Sequence, residues 1–524
     1  MGSFPYPSTR QPVVADEVVA TSQPTAAAAA LEMFAAGGDA VDAAVAAAVA
    51  LAVTEPVLNG IGGDLFALVG EPDGSCWALD ASGRSPAALD PTPLLGNPAM
   101  PLRGWDTVTV PGAVSGWALL AERGTLGLDR VMAPAIRLAE DGFLVAPITA
   151  AAWAKAPEAY ADASFVAAFL PGGRAPSAGD RFRLDGAAET LRRIASDGDA
   201  AFYRGALAAA VERFARSGGG ALRADDLAAH RSEWVRPVEA AFAEWGLVEL
   251  PPATQGLAAL LGTAIVDRVG LAGADPDGPG AVHVQVEATK LALAVTREVV
   301  ADRDRMQVSV DDLLATEFVD GLAERIEDDR ARDPGHGRPA PGGTVYVATG
   351  DRHGRVVSLI QSNFVGFGSG LVVPGTGISL QNRGAGFSTD PRSPNVVAPG
   401  VRPFHTIIPG MVRTPTGERM AMGMVGGPLQ PQGHLQMLVR AALSGLDPQA
   451  IIDTPRWRVD DGLDLAVEPG WDPSTLDDLA RRGHHVRVET GRSGFGGAQA
   501  VLSLPSGGWM AASDGRKDGH AAGR

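Results

Sequence analysis

The residue with the clearest chemical potential is Thr344, which follows two glycines and opens a run of strand-forming residues, 344–348. A threonine hydroxyl is a weak nucleophile unless a base adjoins it, and the α-amine of a chain's first residue can be that base. An α-amine has a pKa of about 7.7–8.0, so part of it accepts a proton near neutrality. A cut between Gly343 and Thr344 would therefore create a nucleophile. Most threonines at strand starts are structural, and the residues alone leave both interpretations open.

A second candidate is the glycine-rich segment 59–64, Asn-Gly-Ile-Gly-Gly-Asp. Such a loop could cradle a phosphate, but GxxxxGK[ST] is absent and no dinucleotide-binding helix pattern follows, which favours a structural turn. The nine histidines are scattered without HExxH spacing, and Cys76 is the single cysteine. The sequence therefore predicts no metal site and no intrachain disulfide.

Composition excludes several classes of function. The chain has 524 residues, 44 basic against 61 acidic side chains and a formal charge of −17, so phosphate backbones and anionic membrane surfaces should repel it. The first twenty residues carry prolines and charges where a secretion signal needs about 7–15 apolar residues. The longest apolar run, 43–53, is about half of the roughly 20 residues that a membrane span needs. We expect a cytoplasmic protein that binds neither nucleic acid nor membranes.

Two patterns predict helical structure in the first half of the chain. Asp39 can cap a helix in which Val41, Val45, Val49 and Val53 recur every four residues. From 111 to about 266 the pattern is mainly helical, with breaks at proline and glycine.

The character of the chain changes at 333–343. This segment, Asp-Pro-Gly-His-Gly-Arg-Pro-Ala-Pro-Gly-Gly, has no apolar periodicity and is typical of an exposed, flexible linker. It is followed by a predicted strand at 344–348, a turn at 351–354 and a returning strand at 356–360. Thr344 is thus expected at the head of a β-hairpin, within a mixture of helices and strands.

A series of short motifs runs through the chain in a fixed order, at 20–24, 37–56, 110–112, 133–143, 201–205, 249–252, 287–290, 343–344, 367–370, 373–378, 425–427 and 513–516. In these motifs the sequence resembles the γ-glutamyltransferase family of N-terminal nucleophile hydrolases over nearly its whole length. The resemblance implies an α/β fold, a four-layer αββα sandwich built from both fragments after self-cleavage. The fragments would be 1–343 and 344–524, would remain associated, and could form a homodimer of such pairs.

The resemblance also assigns roles to residues of the site. Thr344 matches the processing and acylation nucleophile, and Gly343–Thr344 the cleaved bond. Ser362 takes the place of a second threonine whose hydroxyl assists the first. Gly426 and Gly427 match a glycine pair whose N–H groups hold the developing oxyanion, a role that glycine's conformational freedom suits. The implied reaction passes through an acyl-threonine ester and needs no cofactor.

The substrate-binding positions depart from the family pattern. Arg84 stands two places later than the arginine that grips the substrate α-carboxylate, and Asn363 lies one place before the family's asparagine. His405 and Thr406 replace a serine pair. Gly386 replaces the aspartate that would pair with a substrate α-ammonium.

These departures leave several substrates open. γ-Glutamyl or related acyl amides follow from the family. Arg383 and His405 add donors suited to a carboxylate, while an α-ammonium has lost its counter-charge, which favours an acyl group with a carboxylate and no α-amine. Oxamate-like and glutaryl-like amides, the latter typical of β-lactam acylases, fit that description. Release of an oxalyl-type fragment by carbon–carbon cleavage is a further alternative.

Two other features bear on activity. The segment 387–403 is shorter than the stretch that covers the site in many relatives, so a more open site should favour hydrolysis over transfer to another amine. A degenerate, ligand-binding homologue or a structural protein is the non-enzymatic alternative. Neither would need Thr344, Ser362 and the glycine pair together.

Overall fold

The computed structural model describes residues 10–335, 337 and 342–524. Its strands, numbered in chain order, are β1 (Val13–Ala15), β2 (Val18–Thr21), β3 (Asp64–Gly70), β4 (Cys76–Ala81), β5 (Phe143–Leu144), β6 (Arg181–Phe182), β7 (Glu233–Val235), β8 (Val238–Phe242), β9 (Trp245–Glu249), β10 (Gly343–Gly350), β11 (Val356–Phe364), β12 (Val372–Val373), β13 (Ile378–Ser379), β14 (Gly410–Arg413), β15 (Arg419–Val425), β16 (Trp457–Val459), β17 (Asp464–Val467), β18 (His485–Val488), β19 (Gly497–Ser503), β20 (Trp509–Ser513) and β21 (His520–Gly523).

The α-helices are α1 (Pro24–Ala35), α2 (Ala40–Thr54), α3 (Ala113–Ala121), α4 (Leu128–Asp141), α5 (Pro147–Trp153), α6 (Ala156–Ala159), α7 (Ala163–Phe169), α8 (Asp185–Asp197), α9 (Ala200–Tyr203), α10 (Ala206–Ser217), α11 (Ala224–Ala229), α12 (Gly256–Val269), α13 (Pro279–Val299), α14 (Val310–Leu313), α15 (Thr316–Ala323), α16 (Leu429–Ser444), α17 (Pro448–Asp453) and α18 (Pro473–Arg481). None of these described helices is long and apolar enough to cross a membrane.

Two antiparallel seven-stranded sheets form the centre of the molecule. One has the order β1-β20-β19-β15-β14-β9-β8, and the other β21-β2-β10-β11-β3-β4-β7. Phe66, Tyr346 and Ile360 of the second sheet pack against Met411 and Ala421 of the first in one buried cluster.

The outer faces of the two sheets are covered by helices. Helices α1 and α2 pack on the second sheet, where Val345 and Val347 of β10 share their apolar cluster. Helices α12, α13 and α16 cover the first sheet through Met422 and Met424. The four layers therefore run helix, sheet, sheet, helix, which confirms the predicted αββα sandwich.

The local predictions near the site are confirmed. Asp39 caps α2 by accepting from the backbone N–H groups of Val41 and Asp42, and the whole helix is buried. Strands β10 and β11 form the predicted hairpin, with Val347 opposite Leu359. The expected flexible linker falls partly on residues 336 and 338–341, which lie outside the described residues.

The prediction of a mainly helical segment at 111–266 is wrong near its end. Strands β7, β8 and β9 lie there, and β9 pairs with β14 in the first sheet. Alternating apolar residues in Val238–Phe242 bury one face of β8, and Trp245–Glu249 returns along it. Sheet pairing thus overrides the helical tendency of an alanine-rich stretch.

Candidate active site

Thr344 lies at an irregularity in the central hairpin. Gly343 pairs with Phe364 and Val345 with Gln361, so Ser362 and Asn363 together face Thr344. Two residues opposite one is the arrangement of a β-bulge, which bends a strand and redirects side chains. Phe364 at the end of the bulge has a positive φ of 78°. Thr344 itself is only 1% exposed in the uncleaved chain.

The hydroxyl of Ser362 contacts the bond that the sequence predicts to be cleaved. Its Oγ donates a hydrogen bond to the carbonyl oxygen of Gly343 and accepts one of 2.7 Å from the N–H of Phe364. The resemblance implies that this hydroxyl assists Thr344. In the uncleaved chain it donates to the carbonyl oxygen of the Gly343–Thr344 bond, where a donor can stabilise developing negative charge.

The glycine pair lies against the same segment. Gly426 and Gly427 connect β15 to α16 and have φ values of 136° and 60°, which other residues rarely adopt. A Cβ atom added to Gly342 would come within 2.8 Å of Cα and 3.3 Å of N of Gly427. The backbone amide of Gly427 therefore borders the segment that ends at Thr344.

Two glutamines that the sequence analysis missed hold this arrangement. Nε2 of Gln430, in the first turn of α16, lies 3.5 Å from Oγ1 of Thr344. Nε2 of Gln255 donates to the carbonyl oxygens of Thr406 and Gly427, the latter at 2.9 Å. The position of Gln430, three residues after the glycine pair, is the one sequence signal that could have indicated it.

Arg383 is a buried cation beside this cluster. Its side chain is fully buried, its guanidinium carbon lies 4.3 Å from the centroid of the Phe364 ring, and Nη1 donates to Oγ1 of Thr406 at 3.1 Å. Nε and Nη2 have no hydrogen-bond partner among the described residues, and no carboxylate there forms an ion pair with this group. Burial lowers the pKa of Arg383 to about 10, partly offset by the charge of Asp64, so the group remains cationic at neutral pH.

His405 is not a free donor, contrary to expectation. Its Nδ1 lies 2.7 Å from the carbonyl oxygen of Pro403, and its Nε2 lies 3.0 Å from Oδ2 of Asp64. Because Pro403 and Asp64 both present acceptor oxygens, both ring nitrogens of His405 are already engaged. The Asp64 carboxylate acts on Arg383 through its charge but forms no direct ion pair with it among the described residues.

The glycine-rich segment 59–64 acts as a tight turn that delivers Asp64. A Cβ atom on Gly63 would lie 2.6 Å from the carbonyl oxygen of Ser362, so only glycine allows this close approach. Oδ1 of Asp64 accepts from Gln381 Nε2 at 2.9 Å and from the N–H of Gly112 at 3.0 Å. These contacts agree with the structural interpretation of the loop and disfavour a phosphate site.

One predicted substrate-binding residue, Arg84, is held away from the cluster, whereas Asn363 lies on the bulge opposite Thr344. Arg84 forms a 2.6 Å ion pair with Asp302 and donates to the carbonyl oxygen of Gly400. Nδ2 of Asn363 lies 3.4 Å from Oγ of Ser379. Oδ1 of Asn363 has no hydrogen-bond partner among the described residues. The structure thus groups Thr344, Ser362, Asn363, the glycine pair, Arg383 and Thr406, and leaves Arg84, among the predicted site residues, paired elsewhere.

One cluster of potential metal ligands lies elsewhere. Side-chain atoms of His283, Glu287 and His484 come within 4.8 Å of one another, a grouping that sequence spacing did not predict. Nδ1 of His283 already bonds Nε2 of His484 at 2.9 Å, and the ammonium of Lys290 lies 2.5 Å from the Glu287 carboxylate. The Glu287 carboxylate is therefore already paired with a protein cation, and the two histidines are bonded to each other.

Comparisons with known proteins identify the family. A family model described as gamma-glutamyltranspeptidase matches residues 26–524. The chain is 39% identical over 508 residues to an oxamate amidohydrolase proenzyme of Klebsiella pneumoniae, a match covering 94% of this chain and 96% of that protein. It is 29% identical to a glutathione hydrolase proenzyme of Escherichia coli, over 95% of this chain and 90% of the relative.

A solved structure gives the same result. The crystal structure of cephalosporin acylase from Bacillus halodurans has a TM-score of 0.94 with this chain at 41% identity, covering 100% of this chain and 98% of that one. The family and these relatives are hydrolytic enzymes. The resemblance found in the sequence is confirmed: the chain belongs to the gamma-glutamyltranspeptidase family.

Proposed function

We propose that this protein is a self-processing amidohydrolase with an N-terminal threonine nucleophile. We further propose that its substrate is an amide whose acyl group carries a carboxylate without an α-amine, as in oxamate. The observation that carries the proposal is the fully buried guanidinium of Arg383, two of whose nitrogens lack partners in the described part of the chain. An unpaired buried charge is strongly unfavourable, so a ligand that pairs with it gains affinity.

The first step is self-cleavage. Oγ1 of Thr344 attacks the carbonyl carbon of Gly343 while Ser362 donates to the carbonyl oxygen. The Thr344 nitrogen leaves with the hydroxyl proton, and water then hydrolyses the resulting ester to give a Gly343 carboxylate and a free Thr344 α-amine. Cleavage would also free the segment that packs on Gly427, which is necessary because Thr344 is buried in the intact chain.

The two fragments, 1–343 and 344–524, should stay together after cleavage. In the second sheet, β10 and β11 lie between β2 and β3, which belong to the first fragment. Separating the two fragments would break the antiparallel pairings of β10 with β2 and of β11 with β3 in the centre of this sheet. The cut is therefore a maturation step rather than a boundary between domains.

In the mature enzyme the α-amine takes the proton of Oγ1 as this oxygen attacks the amide carbon of the substrate. The amine passes the proton to the leaving nitrogen, which departs as ammonia or an amine. The N–H groups of Gly426 and Gly427 receive the oxyanion, and water resolves the acyl-threonine ester. With oxamate the products are oxalate and ammonia.

Charge decides between the substrate classes. A γ-glutamyl group carries an α-ammonium beside its carboxylate, but Gly386 has no side chain to pair with it. The Asp64 carboxylate is held by hydrogen bonds from Gln381, Gly112 and His405. An ammonium near Arg383 would therefore be repelled by the guanidinium and would lack a carboxylate at its expected position. A carboxylate alone would pair with Nε and Nη2 of Arg383. The similarity to an oxamate amidohydrolase and a cephalosporin acylase supports this class over γ-glutamyl compounds.

The test is a competition among oxamate, a glutaryl amide and a γ-glutamyl amide, using protein whose cleavage is complete. We expect oxamate or the glutaryl amide to have the highest kcat/KM. A preference for the γ-glutamyl compound of more than about tenfold, equivalent to about 1.4 kcal/mol in transition-state binding, would contradict the proposed class.

A further inference from the structure

We infer that Gln430 is a catalytic residue that donates a hydrogen bond to Oγ1 of Thr344 and stabilises this oxygen when it leaves the ester. The inference rests on the proposed function in one respect, since it requires Thr344 to be the nucleophile. It is independent of the substrate class.

The orientation of the Gln430 amide is fixed by its neighbours. Its Oε1 accepts a hydrogen bond of 2.9 Å from the backbone N–H of Ile408, which can only donate. The NH₂ group must therefore face the other way, where Nε2 lies 3.5 Å from Oγ1 of Thr344. The side chain is fully buried, so the amide has no water to turn toward. The backbone N–H of Gln430 bonds the carbonyl oxygen of Gly427 at 3.0 Å, which ties the side chain to the glycine pair.

An amide NH₂ group can donate but cannot act as a base. As a donor, it leaves the hydroxyl proton of Thr344 free for another acceptor. Its effect is largest when Oγ1 carries most negative charge, which happens as the ester breaks. In that step a water oxygen bonds the acyl carbon, the bond from Oγ1 to that carbon breaks, and a proton from the water reaches Oγ1. Gln430 stabilises the departing oxygen and gives up no proton.

The neighbouring Gln432 provides a matched control. It lies on the same helix and is buried, but its amide bonds the backbone of Val459 on β16, with Oε1 accepting at 2.8 Å and Nε2 donating at 3.2 Å. Gln432→Met removes a buried amide from α16 without touching Thr344. Gln430→Met removes the donor at Thr344. Gln430→Glu keeps an acceptor for Ile408 and, when its carboxyl is ionised, lacks that donor.

The experiment follows self-cleavage of freshly purified full-length chains on denaturing gels, with and without neutral hydroxylamine, which cleaves esters. Removing an oxyanion donor typically slows an enzyme about 10²–10³-fold, and for this longer contact we expect Gln430→Met and Gln430→Glu to cleave about tenfold more slowly. Hydroxylamine should restore their cleavage, because the ester accumulates. Gln432→Met should cleave at the wild-type rate.

Each other outcome has a definite meaning. Cleavage of either Gln430 variant within about threefold of wild type would overturn the inference, and so would slow cleavage that hydroxylamine does not restore. If Gln430→Met fails to fold, Gln430→Glu decides alone. If the wild-type chain does not cleave at the Gly343–Thr344 bond, the result would instead overturn the proposed function.

Discussion

Two fully buried arginines in this protein have opposite surroundings. Arg456 donates to Asp514 Oδ2 at 2.6 Å and to the carbonyl oxygens of Phe495 and Ile452 at 2.8 and 3.0 Å. Arg383 donates only to Thr406, and its Nε and Nη2 are unpartnered within the described residues. Burial lowers the pKa of both guanidinium groups, yet only Arg456 is paired with a carboxylate.

The difference separates a structural charge from a functional one. The Arg456–Asp514 pair joins the segment before β16 to the end of β20, and Asp514 also accepts from the N–H of Ala498. Its charges are neutralised within the fold. The charge of Arg383 is left for a ligand to neutralise, which is the arrangement expected where a protein gives up stability for binding.

The largest effect should come from Thr344→Ala, which removes the nucleophile and touches neither arginine. We expect neither self-cleavage of the chain nor hydrolysis of an amide substrate, since both reactions need the same hydroxyl. Thr344→Ser should still cleave, more slowly. Mass spectrometry of the wild-type protein should find an N-terminus at Thr344; a mature terminus at another residue would contradict the assignment.

Arg456→Met should have the largest effect on stability. It removes the 2.6 Å partner of Asp514 Oδ2 and leaves the 3.2 Å pair of Oδ1 with Arg516. Breaking a buried pair typically costs about 3–5 kcal/mol, and the remaining cation should bring this loss toward the lower end. The measurement is denaturant unfolding in the uncleaved Thr344→Ala background, where the chain is a single piece. A loss below about 1 kcal/mol would show that the pair is not structural.

Arg383→Met should have the smallest effect on stability. It removes an unpaired charge and a contact with the Phe364 ring, and the two changes oppose each other. In the same background we expect the free energy of unfolding to fall by no more than about 1 kcal/mol, or to rise. A loss as large as that of Arg456→Met would mean that Arg383 is structural, and the comparison between the two would fail.

The sequence predicted those parts of the molecule that depend on local pattern. The cap at Asp39, the valine repeat of α2 and the β10–β11 hairpin follow from residues close in the chain, and all are confirmed. The fold class and the family followed from motifs spread along the chain. Strands β8 and β9 were missed because their residues become strands only through pairing with β14 in the sheet.

The site was predicted less completely because its contacts join distant segments. Arg383 and Thr406 could be named as pocket residues, but that His405 is already bonded to Asp64 depends on the turn at 59–64. Gln255 has no catalytic signature in the sequence, and the only signal for Gln430 is its position three residues after the glycine pair. The orientation of their amides is set by Ile408, Thr406 and Gly427.

The most direct test of the central claim, that Arg383 binds the substrate carboxylate, compares oxamate with its neutral analogue oxamide in the mature wild-type and Arg383→Met enzymes. We predict that the wild-type preference for oxamate, measured as the ratio of kcat/KM values, falls about 10²-fold in the variant, equivalent to about 2.7 kcal/mol. Hydrolysis of oxamide should change little. An unchanged preference, or equal losses for both substrates, would contradict the claim.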